Sequence, residues 1–139
     1  MSVKAIRTTL VSAYLECNTG LPTTYGNAPK YVPTIDQAWA NLYIIPNMPV
    51  GFELGQNGSD DHTGIIQIDL FYPLGKGDSD MLAMCDKIRQ YFVHGKSVTY
   101  NGQAVTFGRS GGRGPRNEDG QYKESMTINW RAKVARSGA

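Results

Sequence analysis

Asp60, Asp61 and His62 stand side by side, two carboxylates and an imidazole, the ligand types that hold a divalent cation. Consecutive side chains diverge, however, and no second group at ligand spacing accompanies them, so a solvated loop tip is expected there. Asp78 and Asp80 make an acidic pair without a third acid or a lysine in a matching context. Gly95-Lys96-Ser97 has the ending of a phosphate loop, but Gln90 occupies the place of the required earlier glycine, and the triplet follows a helical pattern instead of opening one. Gly75-Lys76-Gly77-Asp78-Ser79 does precede a helix and reads as a turn with an N-cap. His94 closes that helix, at the end where the dipole favours a cation. No Cys–His or Ser–His–Asp spacing supports a nucleophile. The chain is therefore expected to be no enzyme and to need no metal or cofactor.

Arg109, Arg113 and Arg116 lie in a glycine-rich stretch, with Lys123, Arg131 and Lys133 close by in sequence, and such a set can neutralise phosphates. Glu118 and Asp119 dilute it, and no stacking aromatics are interleaved with it. No hydrophobe is available to pin residues 109–120, so a mobile loop is predicted, with ordering against a protein partner as the functional alternative. Residues 1–95 carry six basic and nine acidic side chains; residues 96–139 carry eight and three. A molecule with this bias can stack head to tail, and its basic end can touch nucleic acid.

The 139 residues suffice for one domain with a single core, 1–139. Hydrophobic residues at 40% and charged residues at 19% are globular values, and no apolar run approaches the ~18 residues of a membrane span. Arg7 interrupts any signal-peptide pattern, which predicts a protein that stays in a cytoplasm. Cys17 and Cys85 fall on or beside the apolar faces of helical patterns and read as reduced core residues.

The elements that position these groups follow from periodicity. Residues 2–16 place Val3, Ile6, Leu10 and Tyr14 on one stripe of a helix, with Ser2 as N-cap. Gly20, Pro22, Gly26, Pro29 and Pro33 predict an extended surface loop over 18–35. A strand is predicted from Gln37 to Ile45, a short one at Gly51–Leu54 with a polar hairpin tip around 57–60, and an alternating strand over 64–72. A second helix runs from about Ser79 to His94 with Met81, Cys85, Ile88 and Phe92 as its buried stripe and Gly95 as its left-handed stop. Asn101-Gly102 between Tyr100 and Gln103 signals a tight hairpin, and 122–134 alternates as a last strand. The order is α-β-(β)-β-α-β-β-β. It predicts an α+β fold, a mostly antiparallel or mixed sheet of about four to six strands with both helices packed on one face.

The order and spacing of several segments resemble the phage tail terminator family, the minor tail protein U-like proteins of long-tailed phages and prophages. The similarity takes in the N-terminal helix, Tyr25-Gly26-Asn27-Ala28-Pro29, the stretch from Trp39 to Pro46, and Glu53-Leu54-Gly55. It is strongest from Gly64 through Asp69, Phe71 and Pro73 to Gly77, follows the second helix to Phe92, Gly95 and Lys96, and closes around Trp130. The resemblance implies a virion structural subunit that forms a sixfold ring on the head-proximal end of the tail tube, ends tube polymerisation and presents the head-joining surface. Its implied partners are copies of itself, the tail tube protein and the head–tail connector, with genomic DNA only passing through the lumen and no membrane. Its implied locations are the bacterial host cytoplasm during assembly and then the virion tail. The family offers no catalytic residues. Loop position and residue type single out Tyr25, Asn27, Phe52, Arg109, Arg113 and Arg116 as candidate contacts with a neighbouring subunit or partner. Two rival readings are a head–tail connector or tail tube protein, and a nucleic-acid-binding protein using the arginines of 109–120.

Overall fold

The computed structural model describes residues 3–25, 37–47, 50–51, 59–75, 79–118 and 121–135. Of the candidate contacts, Asn27 and Phe52 lie outside the described residues. The fold is α+β. Helix α1 (Val3–Cys17) buries Ile6, Thr9, Leu10, Ala13, Tyr14 and Cys17, the i, i+3/i+4, i+7 stripe that its sequence dictates. Asn18 then takes a left-handed conformation (φ 56°) and ends it. Helix α2 (Ser79–Tyr91) buries Met81, Cys85 and Ile88. It stops three residues short of the predicted His94, although Gly95 does take φ 90° in the turn beyond. No described helix is long and apolar enough to cross a membrane.

The strands are β1 (Thr23–Tyr25), β2 (Trp39–Pro46), β3 (Val50–Gly51), β4 (Ser59–Pro73), β5 (Ser97–Tyr100), β6 (Gln103–Gly112), β7 (Arg116–Glu118) and β8 (Gln121–Ala135). One mixed sheet holds them in the order β1-β2-β4-β8-β6-β5, with β3 beside β4 and β7 beside β8. Only β1 on β2 is parallel among these pairs. The segment expected to be a loop over 18–35 therefore contributes an edge strand at Thr23–Tyr25. The centre of the sheet is the ladder between β4 and β8, in register from Ser59↔Ala135 to Pro73↔Gln121. At about 3.4 Å per residue, fifteen residues make a ribbon about 50 Å long, far longer than either helix.

Alternation along that ladder sorts the residues onto two faces. Ile66, Ile68 and Leu70 stand opposite Ile128, Met126 and Glu124, and Ala40 and Leu42 join them from β2. The apolar residues among these, with Val105, Phe107 and the hydrophobic side chains of both helix stripes, form one hydrophobic cluster, which puts both helices on the same face. Phe92 sits edge-on to Phe107 at 4.9 Å, tying the end of α2 to β6. The other face carries no helix stripe and holds Trp39, Phe71, Asp69, Gln67, Ile65 and Thr63 beside Lys123, Ser125, Thr127, Asn129 and Arg131.

Two expectations are corrected. Asp61 and His62 are not on a loop tip: β4 begins at Ser59, so they lie within the ladder opposite Lys133 and Ala132, and His62 is buried. The stretch 109–120 is not a mobile loop over its described part either. Strand β6 continues to Gly112 and β7 resumes at Arg116, both pairing with β8, so 103–118 and 121–135 form one long hairpin arm. Backbone pairing with β8 supplies the order that side-chain hydrophobicity could not.

Candidate functional site

Two irregularities shape that arm. Between the pairs Phe107↔Trp130 and Ser110↔Ile128, Gly108 and Arg109 oppose the single residue Asn129, a bulge. Further on, residues 113–115 oppose Glu124 and Ser125 before pairing resumes at Arg116↔Lys123. The Glu124 carboxylate is buried and accepts hydrogen bonds from the backbone N–H groups of Arg113 (3.1 Å) and Gly114 (3.2 Å). The Arg113 N–H also reaches the carbonyl of Ser125 at 3.2 Å. A carboxylate thus satisfies the backbone donors that the second irregularity releases from the ladder. Gly112 lets it come close, since a Cβ there would stand 3.2 Å from the Glu124 carboxyl carbon. Sequence reading missed Glu124; its only signal is an acid in the apolar phase of an alternating strand.

The helix-free face is divided along its length. At one end Trp39 stacks on Phe71 (4.1 Å, 7°) and donates its indole N–H to Gln121 Oε1 at 3.0 Å. Asp69, 4% exposed, accepts from Gln67 Nε2 at 3.0 Å and faces Lys123 Nζ at 3.8 Å. The Lys123 ammonium also lies 5.2 Å from the Phe71 ring. Arg116 is half-buried and gives Nη2 to Ser125 Oγ at 3.3 Å. The cations at this end are absorbed by the fold.

At the other end the face opens. A groove of about 510 Å³ is lined by Asn47, Thr63, Ile65, His94, Gly108 and Asn129, among others. A second of about 400 Å³ continues along Ala104, Thr106, Arg131 and Lys133, and the two share Thr106 and Arg131. Arg131 and Lys133 are exposed here, whereas Arg109 is exposed on the arm and lines neither groove. Arg131 Nη2 stands 3.9 Å from Asp61 Oδ1, a loose ion pair without a hydrogen bond. Ile65, Phe107 and Trp130 also line the first groove, and Gly64 among them admits the Trp130 ring: a Cβ there would stand 2.6 Å from that ring and 2.4 Å from the carbonyl oxygen of Ile45.

The candidate contacts fall in two places. Tyr25 ends β1 at one edge of the sheet, half-buried, with its ring edge-on to Tyr14 at 6.4 Å. Burial, and then the neighbouring Tyr14, hold its phenol above the ordinary tyrosine range. Arg109, Arg113 and Arg116 lie on the arm beyond β2, β4 and β8. Arg109 sits at the bulge and Arg113 is exposed, whereas Arg116 is engaged with Ser125. The structure thus brings the three arginines onto one arm and leaves Tyr25 at the far edge. Sequence reasoning also missed the groove, whose signal was the polar phase Asn129, Arg131, Lys133 of the last strand.

Both thiols are closed off. Burial raises Cys17 above its ordinary value, and burial, followed by the Glu124 charge, pushes Cys85 up to about 11. Among the described residues no group of three potential metal ligands comes together.

Comparison with known proteins adds three findings. A family model described as phage tail terminator protein matches residues 3–130. A solved structure superimposes with a TM-score of 0.78 at 16% identity, over 96% of this chain and 97% of that one; at that identity the likeness concerns the fold. No curated protein matches the chain.

Proposed function

Because the chain belongs to the phage tail terminator family, a family of structural tail-assembly proteins, we propose that it caps the head-proximal end of a tail tube, stops the tube's growth and offers the surface to which the head joins. The observation that carries the proposal is the family match across residues 3–130, nearly the whole chain. Copies are proposed to close into a ring, a hexamer, with the tail tube protein below and the connector above. They would assemble in the host cytoplasm and end in the virion tail.

Two structural features support assembly by repetition. The sheet ends in strands that carry neither charge nor proline, Thr23–Tyr25 at one side and Ser97–Tyr100 at the other. Such edges are open to pairing with another chain. Because the two edges are different surfaces, a contact between them is head to tail, the kind that closes into a ring when the rotation allows. Exposed hydrophobics, Leu15 at 60% and Tyr100 at 45%, lie on α1 and on the β5 edge.

The test is deletion of the gene from the phage or prophage that encodes it, followed by electron microscopy of the lysate. Tails of uncontrolled length without filled heads are the expected result. Normal-length tails beside unjoined heads would move the protein to the connector class. Intact infectious particles would end the assembly reading.

A further inference from the structure

We infer that neighbouring copies of this chain join β5 of one to β1 of the next as parallel strands, with Val98 beside Thr23 and Thr99 beside Thr24. All helices then stay on one face of a continuous sheet. The inference rests on the ring reading above and names the surface that would make the ring.

Strand direction comes first. β1 runs parallel to β2, and every later step across the sheet, β2 to β4, β4 to β8, β8 to β6 and β6 to β5, reverses direction. The reversals cancel in pairs, so the outermost strands of the path, β1 and β5, run the same way. A copy set beside β5 in the same orientation therefore offers β1 as a parallel neighbour.

Hydrogen-bond phase fixes the register. The two-residue turn Asn101-Gly102 makes Tyr100 and Gln103 a bonded pair, and the Phe107 N–H donates to the Lys96 carbonyl at 2.9 Å. Alternation turns the backbone of Val98 and Tyr100 toward β6 and that of Ser97 and Thr99 outward. At the other edge the Ala40 N–H donates to the Pro22 carbonyl at 2.9 Å, so Thr24 faces β2 while Thr23 and Tyr25 point outward. The side chains of Val98 and Tyr100 lie on the helix face beside Val105 and Gln103, as those of Thr23 and Tyr25 do beside Ala40 and Leu42.

In a parallel pair, a residue that bonds across lies beside one that does not. Thr23 of the next copy then sits beside Val98, its N–H donating to the Ser97 carbonyl and its carbonyl accepting from the Thr99 N–H. The N–H of Tyr25 donates to the Thr99 carbonyl. This register engages the outward residues of both edges, and it keeps helix face with helix face. It also sets Tyr25 beside the exposed Tyr100 and Thr24 beside Thr99, aromatic and threonine pairs of the kind that stabilise sheets. Antiparallel pairing would instead oppose outward residues, Thr23 to Thr99, and would turn the next copy's helices to the other face. Repeated, that step inverts alternate copies and closes no ring of like-oriented subunits. On the helix side of β5 a cleft of about 240 Å³ separates it from α1. Its wall of Ser12 and Ala13 leaves room for a side chain of the added strand.

The test is disulfide trapping, in tails from phage carrying variant genes and in the concentrated purified chain. Paired strands stand about 4.8 Å apart, within the roughly 4.4–6.8 Å that a disulfide spans between Cα atoms. Cys17 and Cys85 are buried, so wild type serves as the blank. Thr23→Cys/Val98→Cys and Thr24→Cys/Thr99→Cys are each expected to give a ladder of covalent oligomers on a non-reducing gel. Thr23→Cys/Thr99→Cys should remain monomeric. The inference is overturned if that last variant forms the ladder instead, which means antiparallel pairing. It is also overturned if Thr99→Cys alone gives covalent dimers, which means two β5 edges meeting about a twofold. Monomers from both expected pairs in both samples overturn it as well. A ladder from the purified chain beside normal particles in the deletion lysate would keep the pairing and remove the capping role. Tails of uncontrolled length in that lysate, without any ladder, would keep the role and remove the pairing.

Discussion

Glu124 is the side chain on which the hairpin arm turns. Its carboxylate serves two backbone donors that the ladder has released, in a position only 3% exposed. Glu124→Ala takes that partner from two part-buried donors, of which only the Arg113 N–H keeps another acceptor named here, the Ser125 carbonyl, and should lower stability by about 1 kcal/mol in urea unfolding; Glu124→Gln keeps an acceptor oxygen and should lose less. Gly64 is constrained by space: a Cβ would meet the Ile45 carbonyl and the Trp130 ring at once. Gly64→Ala should cost about 1–3 kcal/mol, measured as a lower thermal midpoint, because both contacts must be relieved. Cys85 sets a pH limit. Its folded thiol titrates near 11, above the unfolded one at 9.0, so unfolded chains release the proton first as pH rises. Its contribution is complete below about pH 9 and is lost toward pH 11. Urea midpoints should fall across that window, and Cys85→Ala should flatten the fall. A thiol reagent at pH 8 should label the native chain only as it unfolds.

At the scale of elements, the chain separates what is local from what is not. The Asn101-Gly102 turn is legible from two residues: both take positive φ, 50° and 81°, as a two-residue hairpin demands. Both helices announce themselves through their buried stripes, and Gly95 marks the turn after the second; the left-handed Asn18 that ends the first was not read from the sequence. Residues 109–118 do not, because Gly108, Gly111, Gly112 and Gly114 give no strand propensity and no alternating hydrophobe. Order there comes from β8, fifteen residues of which are already held by β4 on the other edge. Hydrogen exchange provides the check: amides of Gly111 and Arg116, which alternation turns toward β8, should be protected well above the rate of an unstructured loop, and immediate exchange would return the segment to the mobile class. The acid pair and histidine at 60–62 were misplaced for the same reason. Their polarity suggests a tip, but ladder register with Val134, Lys133 and Ala132 overrides it.

For the whole molecule, the two ends of the sheet and the helix-free face are what assembly has to work with. If copies meet through the unlike edges β1 and β5, the chain added to growing tube protein should stop elongation at one end only, seen as shorter tubes by electron microscopy. Inserting charge into the outer edge, as in Thr99→Lys, should weaken that capping while leaving urea stability within about 0.5 kcal/mol, since Thr99 is exposed. Of the six candidate contacts, Asn27 and Phe52 lie outside the described residues. Arg109 and Arg113 are exposed on the arm, Arg116 is engaged internally, and Tyr25 belongs to a different edge.

By itself the sequence determined the two helices and their buried stripes, the Asn101-Gly102 hairpin, the alternating strands of the sheet and the likeness to a tail terminator. All of these are written in periods of 3.6 or 2, in residues that tolerate positive φ, or in the order of segments along the chain. Only the tertiary structure decided that Thr23–Tyr25 is a parallel edge strand, that the arginine stretch is an ordered arm, and that Arg131 and Lys133 line one groove. Those outcomes depend on which strand lies beside which and in what register. Such pairing is a choice among residues far apart in the chain, which no local pattern can encode.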